Sequence, residues 1–249
     1  MAVIDSGYIK NMNDSKYYTY EMIMLNETHL QEVVDLHQRI LKQLDSWELC
    51  VTITPEEFQS MLGTKGMLFG IFVEKTLIAF RAVLFPEDLE ENLGPYIGLQ
   101  KWQFNQVVHL EVTNVHPDFR GNGLQKKMLV IALEMLRQIK KHRHIFTIAS
   151  PQNYPSVHNI FSVNMLLIDI QKMYNGRLRY IFYKDLRSAL SLDFNSMQMI
   201  PVNNIVKQKK LLEAGYVGFR LNREGLADTV SFAKRTKAQY RFDAYNMLG

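Results

Sequence analysis

The chain has 249 residues, 47% of them hydrophobic and 22% charged, the balance of a globular protein with a sizeable core. It contains no apolar run long enough to span a bilayer and no signal-peptide stretch in residues 1–18, and its single cysteine, Cys50, excludes a disulfide framework or a cysteine-rich zinc site. The formal charge of +4 arises in residues 187–249, where 10 Lys and Arg stand against 5 Asp and Glu, scattered as on a solvated face and not run together as in a nucleic-acid tail. The expected location is therefore cytoplasmic, with neither membrane nor nucleic acid as partner.

After a polar start, residues 17–25 (YYTYEMIML) read as a strand. Asn26 can cap a helix whose face holds Leu30, Val33, Val34, His37, Ile40, Leu41 and Leu44. Thr54, Pro55 and Glu57 spell a capping box with proline in the first turn, opening a short helix that should stop near Gly63. Residues 67–73 and 77–85, separated by Glu-Lys-Thr, form a hairpin, and residues 89–103 a loop. Residues 107–115 (VVHLEVTNV) alternate as a strand does, and Leu124, Met128, Ile131, Ala132, Met135, Leu136 and Ile139 then come at helical spacing. Residues 144–150 make a second strand, fed by a crossover helix as a parallel neighbour would be. A helix opens at Asn153 or Tyr154, and the stretch LLIDIQKMY-NG-RLRYIFYKDL is a hairpin around Asn175-Gly176. Residues 187–200 look irregular; a helix ending at Gly215 and two strands, residues 216–221 and 229–235, complete the chain. The fold class is α/β, a mixed, mostly antiparallel sheet with helices on both faces, and a C-terminal helix-and-hairpin extension.

Between the strand at 107–115 and its helix lies Arg120-Gly121-Asn122-Gly123. Glycine tolerates φ > 0 and close approach to its backbone, and the N–H groups of such a turn converge on the positive end of the helix dipole. That is a place to hold phosphate. The plainer reading is a turn that uses glycine only to turn. Lys126 stands where a dinucleotide motif has its third glycine, and the Gly-Lys-Ser/Thr of a P-loop is absent.

The element order and the run Val115-His116-Pro117-Asp118-Phe119-Arg120-Gly121-Asn122-Gly123-Leu124-Gln125 resemble the GNAT superfamily of N-acetyltransferases. Arg120, Gly121 and Gly123 match that family's signature, while Gln125 stands where Gly or Ala is usual. The resemblance covers residues 17–186 as one acetyltransferase domain, with 187–249 as an extension packed on it or appended to it. It implies acetyl-CoA as donor. The pyrophosphate would lie on the N–H groups from Asn122 through Leu124 and Gln125, flanked by Arg120. The pantetheine arm would pair with the main chain at Asn114 and Val115, and Asn153, which with Ser156 fits the start of a second family segment, would reach the cofactor from the next strand's end. A small-molecule or peptide amine would be acetylated by direct attack on the thioester. Glu111 is the candidate base, placed four residues before Val115 on one strand face, with His109 beside it; an ordinary strand carboxylate paired with a Lys or Arg is the alternative. Ile160 occupies the family's tyrosine position for protonating the leaving thiolate, so Tyr154 or Tyr174 would have to substitute, or no dedicated acid is used. A non-catalytic acyl-CoA sensor of the same fold is the rival reading, and a homodimer stays open.

Among other residues, His142 and His144 read as cations complementing the end of the long helix, and no metal site is expected. His37 reads as a satisfied core histidine, and Trp47 and Trp102 as aromatics on the core's rim. The loop PEDLEEN, residues 86–92, would attract a cationic amine, or is simply a solvated turn.

Overall fold

The computed structural model describes residues 2–43, 52–87, 89–188, 191–223 and 228–236; Leu44, Trp47 and Cys50 lie outside them. The chain forms two compact units, Met1–Thr147 and Ile148–Gly249. The first contains, in order, β1 (Val3–Lys10), β2 (Tyr17–Met24), α1 (Leu30–Lys42), α2 (Pro55–Leu62), β3 (Gly66–Val73), β4 (Thr76–Leu84), β5 (Val107–Val115), α3 (Leu124–Ile139) and the first four residues of β6 (His144–Ala149). Its strands lie side by side in chain order, antiparallel from β1 to β5, and β6 runs parallel to β5. The second unit holds α4 (Tyr154–Ser162), β7 (Leu166–Met173), β8 (Arg177–Asp185), β9 (Leu192–Pro201), α5 (Ile205–Glu213), β10 (Tyr216–Asn222) and β11 (Thr229–Arg235). Its strands are antiparallel in the order β8-β7-β10-β11-β9. Residues beyond 187 thus continue the sheet begun by β7 and β8. Among the described residues no helix is long and apolar enough to cross a membrane.

Local chemistry sets the element ends. Asn26 caps a single 3-10 turn, Glu27–His29, which runs into α1. At α2 the Thr54 hydroxyl accepts from Glu57 N at 3.2 Å and the Glu57 carboxylate accepts from Thr54 N at 2.6 Å, satisfying two end donors reciprocally. Glu74 and Lys75 both have φ > 0, the conformation of a tight hairpin turn. The Asn175-Gly176 turn is one residue longer than a two-residue type I′ turn, because Tyr174 joins them with φ 48°.

Helices α1 and α2 bury Val33, Ile40, Phe58 and Met61 against Leu68, Phe80, Ala82 and Val112 on one face of the sheet. Helix α3 packs on β4 and β5 through Leu124, Met128, Leu129, Ala132, Leu133 and Leu136, none of which belongs to that cluster, so it covers the opposite face. The buried stripe is rotated from the expected one: Leu129 and Leu133 face inward, and Ile139 is exposed.

Two strands depart from the sequence expectation. β1 reads in the sequence as a polar start, because of its residues only Ile9 is fully buried and no alternation marks it. β9 occupies the stretch that reads as irregular. Its ladder to β11 jumps from Gln198↔Phe232 to Asp193↔Lys234, looping out the residues between them and breaking the period of two.

Two histidines of the first unit are held neutral. His37 is 2% exposed; its Nε2 accepts from Ile53 N at 3.2 Å and its Nδ1 lies 2.7 Å from the Asn114 amide. With Nε2 accepting, the ring proton sits on Nδ1, which satisfies the pair when the Asn114 amide presents its oxygen. This is the satisfied core histidine that the sequence suggests. His142 does not serve as a helix-end cation: it is buried, stacked on Phe85 at 4.4 Å. His144 is likewise buried, within β6. Burial pushes both His37 and His142 down to about 4.

Since both folded values lie below that of a free imidazole, the unfolded chain takes up protons that the fold refuses. Stability should be complete above pH ~6.5 and fall as pH drops towards 4, by at most about 1.4 kcal/mol per pH unit for each ring. Urea unfolding between pH 7.5 and 5 checks this. His142→Phe, which keeps the stack on Phe85, should lose less stability over the window than wild type; an equal loss would mean that the fold does not hold this ring neutral.

Candidate functional site

The parallel ladder between β5 and β6 is short. It runs from Val107↔His144 to His109↔Phe146, and the Thr147 hydroxyl then donates to the Leu110 carbonyl at 2.8 Å. Beyond Leu110 the β5 backbone pairs, among the described residues, with β4 alone. The β4–β5 register also slips here: Arg81 faces Thr113, but Val83 faces Leu110, so Glu111 and Val112 together oppose the single residue Ala82. This bulge corrects the expected alternation. Val115 pairs with Ala79 and Asn114 with Phe80, so Asn114 shares the α1–α2 face with Val112, and Val115 lies on the other face from Glu111.

His109 and Glu111 do come together. His109 Nδ1 lies 3.5 Å from Glu111 Oε1, with the histidine side chain 6% and the glutamate 23% exposed. His109 Nε2 accepts from Leu93 N at 3.1 Å, which fixes the ring proton on Nδ1, facing the carboxylate. The supporting loop is tied down by Asn92, whose amide donates to Glu87 O at 2.7 Å and accepts from Gly94 N at 2.8 Å. The segment around Asn92 is therefore more than a solvated turn: Asn92 and Leu93 are both buried, and Glu87 pairs with Lys141 at 3.6 Å.

At the end of β5, His116 Nε2 meets Arg39 Nη1 of α1 at 2.9 Å. Burial first, and then Arg39 and Arg120, hold His116 below the ordinary histidine range against the opposing pull of Asp118. Arg120 is exposed and folds back to donate to Val115 O at 3.4 Å. The turn after it has Gly121 at φ 80° and Gly123 at φ 71°, both left-handed. Gly123 is the N-cap of α3 and offers no side chain to its first turn, where the intrahelical bonds begin at Lys127 N→Gly123 O, 3.0 Å. A Cβ built on Gly123 meets nothing within 4 Å. Leu124 is buried in the core, so only its backbone can face a ligand. The Asn122 side chain turns away towards β1, a contact that sequence reasoning could not find because β1 itself was not visible in it.

The remaining expected site residues belong to the second unit. Asn153 caps α4, its Oδ1 accepting from Ser156 N at 3.2 Å, so this pair has a structural use. The Tyr154 ring lies under Arg223 at 5.4 Å. Ile160 is 5% exposed and packs in α4's buried face. Tyr174 sits in the β7–β8 turn. In the first unit, Trp102 is 70% exposed and so does not pack over a core rim.

No protein-family model and no curated protein sequence matches the chain. Solved structures do. Arabidopsis thaliana NAA60 in complex with acetyl-CoA aligns with a TM-score of 0.54 at 14% identity, over 67% of this chain and 99% of that one. An acetyltransferase of the GNAT family from Streptococcus pneumoniae gives 0.52 at 14%, over 67% and 99%. The ribosomal-protein-S5-alanine acetyltransferase from Vibrio fischeri gives 0.51 at 13%, over 68% and 94%. At such identities the likeness is one of architecture: the chain has the fold of the GNAT acetyltransferases.

Proposed function

We propose that this chain is an acetyl-CoA-dependent N-acetyltransferase that moves an acetyl group to a primary amine of a small molecule or peptide. The observation that carries the reading is the junction after Leu110. A strand with one open main-chain edge leads into a left-handed Gly-Asn-Gly turn and a helix start without a side-chain cap, all within a GNAT fold. The turn fits a phosphate-bearing ligand: the first-turn N–H groups of a helix have no intrahelical acceptor, and the space a Cβ would take at Gly123 is open. Two of the similar proteins favour this donor and acceptor class, one being solved with acetyl-CoA and one named for acetylating an alanine of a ribosomal protein.

Acetyl-CoA would supply the activated acyl group. On this reading the backbone from Gly121 to Gln125 holds its pyrophosphate, with Arg120 able to swing from Val115 O to a phosphate oxygen. The open edge at Asn114 and Val115 orients the amide-rich arm as an added strand would be oriented. Most of the rate enhancement then comes from positioning, because an amine held against a thioester needs little else. Glu111 accepts the proton that the amine must lose, directly or through a water, as the C–N bond forms and the C–S bond breaks, and CoA leaves as a thiolate that solvent protonates. His109 touches no substrate; it keeps the carboxylate in place. Asn153, Ser156 and Tyr154 are not needed for these steps.

Ile160 favours a second reading, a sensor that binds an acyl-CoA without turnover, since a buried isoleucine cannot protonate a leaving group. Calorimetry with acetyl-CoA tests the shared part, and release of free CoA over a panel of amines separates the two readings.

Gly123 is the sharpest probe. Valine there would be strained at φ 71°, costing about 1–3 kcal/mol of stability, whereas asparagine tolerates that conformation and still fills the open space. Gly123→Asn should therefore keep its melting temperature and bind acetyl-CoA at least tenfold more weakly, about 1.4 kcal/mol. If it binds like wild type, the glycine serves only the turn. Glu111→Gln should leave acetyl-CoA binding unchanged and lower turnover, most at low pH where the amine is protonated. A pH-independent loss would remove Glu111 from the role of base.

A further inference from the structure

The N-terminal strand is fastened to the candidate phosphate turn. Asn122 lies between two left-handed glycines, the least constrained place in the junction. Its side chain nevertheless makes three hydrogen bonds. Oδ1 accepts from Lys10 N at 3.2 Å, and Nδ2 donates to Lys10 O at 2.8 Å and to Phe119 O at 3.0 Å. The amide thus pairs with Lys10 as a neighbouring strand residue would, and both of its hydrogens are used. Further along the β1–β2 connection, Met12 N donates to Asp118 O at 2.6 Å, and the Met12 methyl lies 3.3 Å from where a Cβ on Gly121 would stand. A second tie joins β1 and β2 to the first turn of α3: Lys127 Nζ lies 2.6 Å from Asp5 Oδ2 and bonds the Tyr20 hydroxyl, which itself donates to Asp5 Oδ2 at 2.6 Å. Burial would raise the Asp5 carboxyl, but the bonds from Lys127 and Tyr20 outweigh it and hold it below the usual carboxylate range.

We infer that Asn122 is a positioning residue and that β1, with its turn to β2, is a working part of the cofactor site. The inference rests on the acetyl-CoA reading of that turn. Two flanking glycines let the backbone adopt the left-handed shape, but they also leave it free to abandon that shape. Asn122 fixes it by anchoring the turn to the edge strand, with its own backbone N–H left to converge with those beside it. Only an amide suits the position, because two of its three partners are carbonyl oxygens that a carboxylate would repel. If β1 favours the binding-competent turn, linkage requires the converse: a ligand on the turn must stabilise the β1 anchor.

The test uses the full chain with Asn122→Asp, which keeps the shape and removes the donors, and Asn122→Ala in case the first fails to fold. Each variant should bind acetyl-CoA at least tenfold more weakly, with kcat at saturating donor within about twofold of wild type. Hydrogen exchange should show acetyl-CoA protecting the Lys10 and Met12 amides in wild type but not in the variants, and faster exchange at Gly121 and Gly123 in the free variants. A brace with no part in binding would lower the melting temperature and leave the donor affinity unchanged, and that result overturns the proposal. So does unchanged exchange at the turn. If wild type itself binds no acetyl-CoA while the variants still exchange faster, the reading of the site has failed and β1 is a structural brace alone.

Discussion

After Leu110 the β5 backbone pairs, among the described residues, with β4 on one side and with no strand on the other, and the candidate site is built on that loss of a ladder. A main chain that stops pairing inside a sheet leaves donors and acceptors that need partners from elsewhere. Three local features arrange this. The Thr147 hydroxyl takes the Leu110 carbonyl and closes the ladder. The bulge at Glu111 and Val112 puts two consecutive side chains opposite Ala82, so Glu111 stays beside His109 while Asn114 is swung onto the face of α1. The His37–Asn114 contact then locks that swing. Remove the bulge, and Asn114 would point at α3 and Val115 at α1, with the adjoining turn rotated to match.

The turn itself balances freedom against restraint. Gly121 and Gly123 reach φ values that most side-chain-bearing residues, asparagine apart, adopt only under strain, and Gly123 leaves α3 without the side-chain cap that Thr54, Asn153 and Asn204 give to α2, α4 and α5. A helix start without such a cap is a small loss of stability unless something else meets its N–H groups. Its restraint comes from the N-terminal strands: Asn122 is bonded to Lys10 of β1, Asp118 to Met12 just beyond β1, and Lys127 to Asp5 and Tyr20. The same residues that would bind a ligand are therefore fixed from behind by parts of the chain remote in sequence.

That arrangement also explains what the sequence could disclose. Elements with one buried face wrote themselves in hydrophobic spacing and caps, so α1, α2, β3 to β6 and the β7–β8 hairpin were legible, as was the Arg-Gly-Asn-Gly junction between β5 and α3. β1 left no trace because an edge strand with a single fully buried side chain has no apolar period to show, and with it went the role of the Asn122 side chain. The bulge was equally silent: an extra residue leaves the composition of VVHLEVTNV unchanged and only reverses the parity of the residues after it. Hence the pairing of His109 with Glu111 could be anticipated, being two residues apart before the slip, and the opposite faces of Glu111 and Val115 could not.

His109 and Glu111 divide their work by hydrogen bonding. Were the imidazole the base, its Nε2 would have to be open to a substrate or water, but the Leu93 N–H already occupies that nitrogen from within a buried loop segment. The remaining nitrogen carries the proton and faces Glu111, so the ring can donate to the carboxylate and cannot take a proton without losing Leu93. Glu111 is the member with solvent access. A carboxylate steadied from one side by a fixed N–H, open on the other, has the arrangement of a base with its orienting partner, whereas a carboxylate serving only stability would be expected to meet a Lys or Arg. Among the described residues its neighbour is instead the His109 ring, whose Nδ1 faces it, and the Asn92–Gly94 segment that holds the ring would help to orient the proposed base.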